Sequence, residues 1–105
     1  MQEVAEEEQA PKGALVTRPI LIRFPQPEYP GTALRLGREA VVNVRVLVGE
    51  GGQVLSAENV GREVGLGFDK AARQAALAAL FSAGTRDGVP TQMETVVVVR
   101  FNLDR

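Results

Sequence analysis

Two stretches of the chain alternate apolar and polar residues with the period of an extended strand, and this pattern constrains the fold more than any other feature. In residues 40–48 one face consists of Val42, Val44, Val46 and Val48. In residues 94–103 the corresponding face consists of Thr95, Val97, Val99, Phe101 and Leu103. Because successive side chains of a strand point to opposite faces, each stretch is predicted to be a strand with one buried side.

The segment between these two strands predicts a hairpin partner, a helix and a loop. Three glycines within Gly49–Gly52 supply the positive φ angles of a tight reversal, so residues 53–60 are expected to return as a second strand. Residues 68–81 place Phe68, four alanines and Leu80 along one side at helical spacing, which predicts an amphipathic helix. Residues 82–92 are predicted to be a loop.

The N-terminal part divides into an acidic leader, an extended arm and the start of the domain. Residues 1–18 contain four glutamates and no periodic apolar pattern, which predicts a solvated, flexible leader. Residues 19–26 are predicted to be an extended arm or an edge strand, because Pro19 and Pro25 flank its apolar run. Residues 27–105 form the predicted domain. A short helix is expected from Pro30 to Gly37, since these residue types favour a helix start and a helix end.

Together these elements predict an α+β fold arranged as a two-layer sandwich. The expected layers are a small antiparallel three-stranded sheet, and a short N-terminal helix with one long helix packed on one face. A chain of 105 residues, 45% of them apolar, has room for one such core. A sheet of this size leaves open edges.

Composition excludes several classes of site. The chain has no histidine, cysteine or tryptophan, so imidazole or thiolate metal sites and Ser-His-Asp catalysis are ruled out. Twelve basic and 13 acidic residues lack the excess of positive charge typical of nucleic-acid binding. No spacing of carboxylates or glycines suggests a catalytic pair or a cofactor loop. We expect no enzyme activity, no cofactor, no metal and no nucleic-acid partner.

An ordered set of short motifs runs through the chain from residue 27 to residue 103. They are Pro27-Glu28-Tyr29-Pro30 with Ala33, the strand Val42 to Val48, Gly52, Val54, Asp69, Ala71-Ala72, Phe81, Gly88-Val89-Pro90 and Phe101-Asn102-Leu103. In this order and spacing they resemble the C-terminal domain family of the energy transducer TonB. The resemblance covers about residues 27–103.

The resemblance implies a periplasmic domain of a protein anchored in the inner membrane, of which this chain would be a fragment. Members of that family bind the TonB box, a short extended segment of outer-membrane transporters, by strand addition. They also transmit energy from the proton gradient through an inner-membrane proton-channel complex, which would act here through an N-terminal part outside this chain. An extended arm beside an open edge is also compatible with a homodimer.

The same resemblance, with the open edge expected for the last strand, defines the candidate partner-binding residues. From the segment before the short helix they are Gln26, Pro27, Glu28 and Tyr29, and from the last strand they are Thr95, Val96, Val98, Arg100 and Asn102. Residues of these types are also common as packing residues or as solvated surface.

Two other functions fit the same residues. A TonB-like adaptor of a secretion, motility or Tol-type assembly would keep the fold and bind a different periplasmic protein. A small carboxylate-based enzyme is a third class, although Asp69, Glu94 and Asp104 fall on different predicted elements.

Overall fold

The computed structural model describes residues 15–103, which form eight strands and two helices. In chain order they are β1 (Val16–Thr17), β2 (Ile20–Arg23), α1 (Gly31–Leu36), β3 (Ala40–Val48), β4 (Val54–Val60), α2 (Phe68–Leu77), β5 (Leu80–Ser82), β6 (Gly84–Arg86), β7 (Val89–Thr91) and β8 (Met93–Phe101). Residues 1–14 of the predicted leader and residues 104–105 lie outside the described residues.

A three-stranded antiparallel sheet forms the centre of the molecule, with strand order β4-β3-β8. The alternating pattern of β3 explains this sheet. The four valines on one face of β3 are buried, whereas Val41 and Asn43 on the other face are exposed, and Arg45 and Leu47 are half-buried. The turn between β3 and β4 is closed by the Gly49 N–H, which donates to the Gln53 carbonyl at 2.8 Å. The predicted three-stranded sheet and its hairpin are therefore confirmed.

Helix α2 packs on the inner face of this sheet, as the two-layer prediction required, and Ala33 of α1 belongs to the same buried core. Helix α1 ends at Gly37, whose φ of 67° allows a left-handed C-cap. Helix α2 turns Ala72 and Ala76 toward the sheet, and both are fully buried. Because alanine side chains are small, the backbone of α2 lies close to the strands, and little space remains between helix and sheet.

Three aromatic rings close one end of the core. Phe68 starts α2 and Phe101 ends β8, and their ring centroids are 4.9 Å apart. Both rings are almost fully buried, and Tyr29 packs edge-on to each of them. A buried aromatic side chain removes more apolar surface from water than a buried valine does. The aromatic cluster therefore packs the start of α2 against the end of β8.

The structure contains two further antiparallel sheets that the sequence did not predict. One has the strand order β1-β6-β7 and the other pairs β2 with β5. The prediction of a loop over residues 82–92 is therefore wrong. Its residues are small or polar and do not alternate, so the strands form through backbone pairing rather than through a buried face. The turn Asp87-Gly88, with φ angles of 52° and 82°, is the local signal that could have revealed this hairpin.

The long helix is shorter than predicted, because α2 ends at Leu77 and Leu80–Ser82 forms β5. The Phe81 N–H donates to the Gly52 carbonyl at 2.9 Å, and Phe81 also pairs with Leu21 of β2. The helical spacing of apolar residues thus continues in the sequence after Leu77, although the helix itself ends there. The ring of Phe81 is buried from a strand instead of from a helix.

The N-terminal segment of the described chain is extended. Val16–Thr17, at the end of the predicted leader, forms β1 and pairs with β6. Ile20–Arg23, within the predicted arm, forms the end strand β2. The molecule is elongated as a result, with extents of 53 × 29 × 23 Å.

Candidate partner-binding site

Strand β8 lies at one end of the central sheet and is paired along one side only among residues 15–103. It pairs with β3 over its whole length, from Phe101 opposite Ala40 to Met93 opposite Val48. A strand at the end of a sheet has N–H and C=O groups on its outer side that no neighbouring strand satisfies. Nine residues of β8 therefore present a long outer edge, as predicted for the last strand.

The candidate residues on β8 divide between its two faces. Val96, Val98 and Arg100 are exposed on the outer face of the sheet, while Thr95 is half-buried on the inner face. Asn102 follows the strand and is exposed. The backbone of all five residues belongs to the last strand or its end, so Thr95 can contribute to an added strand only through its main chain.

The outer face of the central sheet combines apolar and charged side chains. Val96 and Val98 are 53% and 49% exposed, and they lie opposite Arg45 and Asn43 of β3. Arg45 also forms an ion pair with Glu58 of β4 at 3.2 Å. Both partners of this pair are well exposed, so its contribution to stability is about 0–1 kcal/mol. This face offers apolar contact area beside charged groups.

The second group of candidate residues connects β2 to α1. Gln26 and Glu28 are exposed, whereas Pro27 and Tyr29 are half-buried. The Tyr29 ring packs edge-on to Phe68 and Phe101, with centroid distances of 5.8 and 5.7 Å. Its hydroxyl donates a hydrogen bond to the Arg38 carbonyl. Tyr29 therefore connects this segment to Phe68 and Phe101 through ring packing, and to the residues after α1 through its hydroxyl.

The structure brings the two groups of candidate residues together at one end of β8 only. Tyr29 contacts Phe101, which lies between Arg100 and Asn102. Thr95 is six residues earlier in the strand, which corresponds to roughly 20 Å. The candidate site is therefore an extended edge rather than a compact pocket, and an extended segment is the shape of partner that can follow it.

One residue that sequence reasoning missed holds the chain after β8. The carboxylate of Glu39 accepts a hydrogen bond from the Leu103 N–H at 2.7 Å. Glu39 directly precedes β3, so the contact joins the start of the central strand to the end of the edge strand. Nothing in the local sequence around Glu39 signals this contact, because its partner is 64 residues away.

The buried carboxylate of the described chain has a structural role. Asp69 is 9% exposed, and its oxygens accept hydrogen bonds from the N–H groups of Val64 and Gly65 at 2.8 to 3.1 Å. Asp69 also lies in the first turn of α2, where a negative charge interacts favourably with the helix dipole. Its hydrogen bonds close the loop before α2. Across residues 15–103, acidic side chains form no group of three or more that could hold a metal ion.

Comparison with known proteins agrees with this architecture. The family model described as Gram-negative bacterial TonB protein C-terminal matches residues 25–103, which is most of the chain. No curated protein matches the chain. In the part of the chain that the structure describes, neither helix is long and apolar enough to span a membrane. The family match confirms the resemblance seen in the sequence motifs: the chain belongs to the family of TonB C-terminal domains, which are periplasmic and interact with outer-membrane proteins.

Proposed function

We propose that this domain binds the TonB box of an outer-membrane transporter by strand addition to the outer edge of β8. Through this contact it would transmit energy derived from the proton gradient to the transporter. The observation that carries the proposal is the position of β8, which is the last strand of the described chain and one of the two end strands of the central sheet in a member of the TonB C-terminal family.

The physical basis of this binding is the main chain of β8. In an antiparallel ladder about half of the backbone groups point to each side, so nine residues offer roughly four or five hydrogen bonds to a new strand. At about 0.5–1.5 kcal/mol each, these bonds supply roughly 2–7 kcal/mol before the cost of ordering the peptide is subtracted. We therefore expect an isolated box peptide to bind in the micromolar range or more weakly.

Weak binding of a peptide is compatible with transmission of force. A force applied along the strand direction stretches the hydrogen bonds of a ladder together rather than one after another. The anchoring of β8 also supports this role. Strand β8 pairs with β3 along its full length, and the Glu39 carboxylate binds the N–H of Leu103, two residues after the end of β8. The edge strand is thus connected to the central strand at every position that a bound segment would pull on.

The test is a titration of the protein with synthetic TonB-box peptides. The changes in backbone amide chemical shifts are monitored by NMR. We expect the shifts to concentrate on residues 93–102, with weaker changes at residues 26–29. Shifts confined to other strands, or no shifts at about millimolar peptide with the fold intact, would overturn binding at this edge. The latter result would favour a different periplasmic partner, as in an adaptor of another envelope assembly.

Two valines of similar exposure provide a matched pair of variants. Val98 lies on β8, whereas Val41 is 49% exposed on the same face of the central strand β3. A strand added to β8 has Val98 as a cross-strand neighbour but is separated from Val41 by the width of β8. We expect Val98→Lys to weaken peptide binding about two- to fivefold, and Val41→Lys to leave it unchanged. Equal effects of the two substitutions would contradict the proposed edge.

A further inference from the structure

The outer edge of β8 has a defined set of outward backbone groups. The Gly49 N–H donates to the Gln53 carbonyl, so the backbone of Gly49 faces β4. Because this direction alternates along a strand, Val48 and every second residue before it in β3 face β8. Their partners in β8 begin with Met93 opposite Val48, and the register has no shift. The residues of β8 between these partners direct their N–H and C=O groups outward. They are Glu94, Val96, Val98 and Arg100.

The side chains of these four outward residues share one face of the sheet. Side-chain direction and backbone direction both alternate with a period of two residues along a strand, so all four side chains lie on the outer face. Each of the four is exposed. Their order along the edge is one glutamate, two valines and one arginine. A strand added to this edge places its own outer-face side chains directly beside them.

The two charged side chains of this edge are far apart and have no ionic partner among residues 15–103. Glu94 and Arg100 are separated by six positions, which corresponds to roughly 20 Å along the strand. The ion pair on this face joins Arg45 to Glu58 and includes neither of them. Since the Debye length at physiological salt is about 8 Å, the two charges do not neutralise each other. The edge is therefore negative at one end, positive at the other and apolar between.

We propose that Glu94 and Arg100 determine the direction in which a partner segment binds along β8. The segment accepted here has apolar residues beside Val96 and Val98, a basic residue beside Glu94 and an acidic residue beside Arg100. Opposite charges on neighbouring strands stabilise the pairing, and like charges destabilise it. A segment whose acidic end comes first thus binds antiparallel to β8, and one whose basic end comes first binds parallel to it. This inference rests on the function proposed for β8.

The experiment uses the full chain and two capped peptides whose sequences are the reverse of each other. The acid-first peptide is Asp-Thr-Val-Thr-Val-Thr-Lys and the lysine-first peptide is Lys-Thr-Val-Thr-Val-Thr-Asp, each with a nitroxide label at its N-terminus. We expect both peptides to shift the amides of residues 93–102 in NMR spectra. The label of the acid-first peptide should broaden the amides around Arg100, and that of the lysine-first peptide should broaden those around Glu94.

Two double variants test the role of the charges themselves. With Glu94→Arg and Arg100→Glu together, the two labels should exchange ends. With Glu94→Gln and Arg100→Gln together, both peptides should bind about two- to fivefold more weakly and lose their difference in direction. The matched control exchanges two exposed neighbours in the loop after β4, through Arg62→Glu and Glu63→Arg. It should leave both the affinity and the direction unchanged.

Three results would overturn this inference, and they are distinguishable. Labels of both peptides at the same end of β8 would show that charge does not set the direction, while binding at β8 itself would stand. No shifts at residues 93–102 would remove the binding edge as well. Shifts of these residues that depend on protein concentration without peptide would make a second copy the occupant, because two antiparallel β8 strands also bring opposite charges together. The amides of β3 serve as the check that each variant remains folded.

Discussion

At the scale of single residues, Gly52 allows the turn between β3 and β4 to approach the backbone of β5 closely. Its φ is 89°, and a β-carbon built on it would overlap the carbonyl oxygen of Phe81. The Phe81 N–H in turn donates to the Gly52 carbonyl. This close approach of two backbones requires glycine both for the positive φ and for the missing side chain.

A pair of glycine variants separates these two requirements. Gly61 has nearly the same φ, 87°, but open space where a β-carbon would lie. We expect Gly61→Ala to lower the free energy of unfolding by about 1–2 kcal/mol through backbone strain alone. Gly52→Ala should cost roughly 1–3 kcal/mol more, because the Phe81 backbone must also move. Urea denaturation of both variants measures the difference, and equal losses would mean that the contact relaxes freely.

Asp69 is the second residue whose role is structural and testable. Replacing it with alanine leaves the N–H groups of Val64 and Gly65 without their carboxylate acceptor in a partly buried loop. We expect Asp69→Ala to reduce the free energy of unfolding by about 1–3 kcal/mol. Urea denaturation is the measurement, with the exposed neighbour Glu63→Ala as control and an expected change within about 0.5 kcal/mol. A loss in the control as large as in Asp69→Ala would contradict a specific role.

At the scale of elements, helix α2 depends on small side chains where it meets the sheet. Ala72 and Ala76 are fully buried against the strands, whereas Gln74 on the same helix is exposed. The amphipathic pattern of the sequence predicted this helix and its buried side. The pattern did not reveal that the helix ends at Leu77, because the partner that draws Phe81 into a strand lies far away in the chain.

Overpacking of α2 is a direct test of this close contact. We expect Ala76→Leu to destabilise the fold by about 1–3 kcal/mol, because no space exists for the larger side chain. Gln74→Leu introduces the same side chain on the exposed side, where we expect a change within about 0.5 kcal/mol. Thermal and urea unfolding of the two variants give the comparison. Similar stability of both would show that the helix can shift outward without loss.

At the scale of the whole molecule, strands differ in how firmly they are held. Strand β3 is paired on both sides and carries the four buried valines, whereas β1 and β2 are short, exposed and paired on one side in the described structure. Local opening requires less free energy where few apolar contacts are lost. The molecule should therefore open at β1 and β2 before its central sheet opens.

Hydrogen exchange tests this order of opening. We expect the amides of Val42 to Val48 to exchange most slowly, at the free energy of global unfolding, and those of residues 16–23 to exchange through lower-energy openings. Native-state exchange at increasing urea concentration measures both. Equal protection of the two regions would mean that β1 and β2 unfold only together with the central sheet.

The candidate site shows what could be read from local sequence and what could not. The β8 strand and its inward face followed from alternation, and the segment with Tyr29 was found through its family motif. The contact between Tyr29 and Phe101 and the contact between Glu39 and Leu103 join residues distant in the chain. No local periodicity encodes such a contact, since it depends on where the elements come together.

The amino-acid sequence by itself determined the three strands of the central sheet, the two helices, the buried faces of β3, β8 and α2, and the family of the chain. The tertiary structure decided the strand order β4-β3-β8, the two extra sheets and therefore which backbone edges are open. The physical reason is that side-chain periodicity states which side of an element is buried, whereas backbone hydrogen-bonding groups are nearly the same in every residue. The choice of partner for those groups depends on the packing of the whole molecule, and it leaves β8 and β4 as the two end strands of the central sheet.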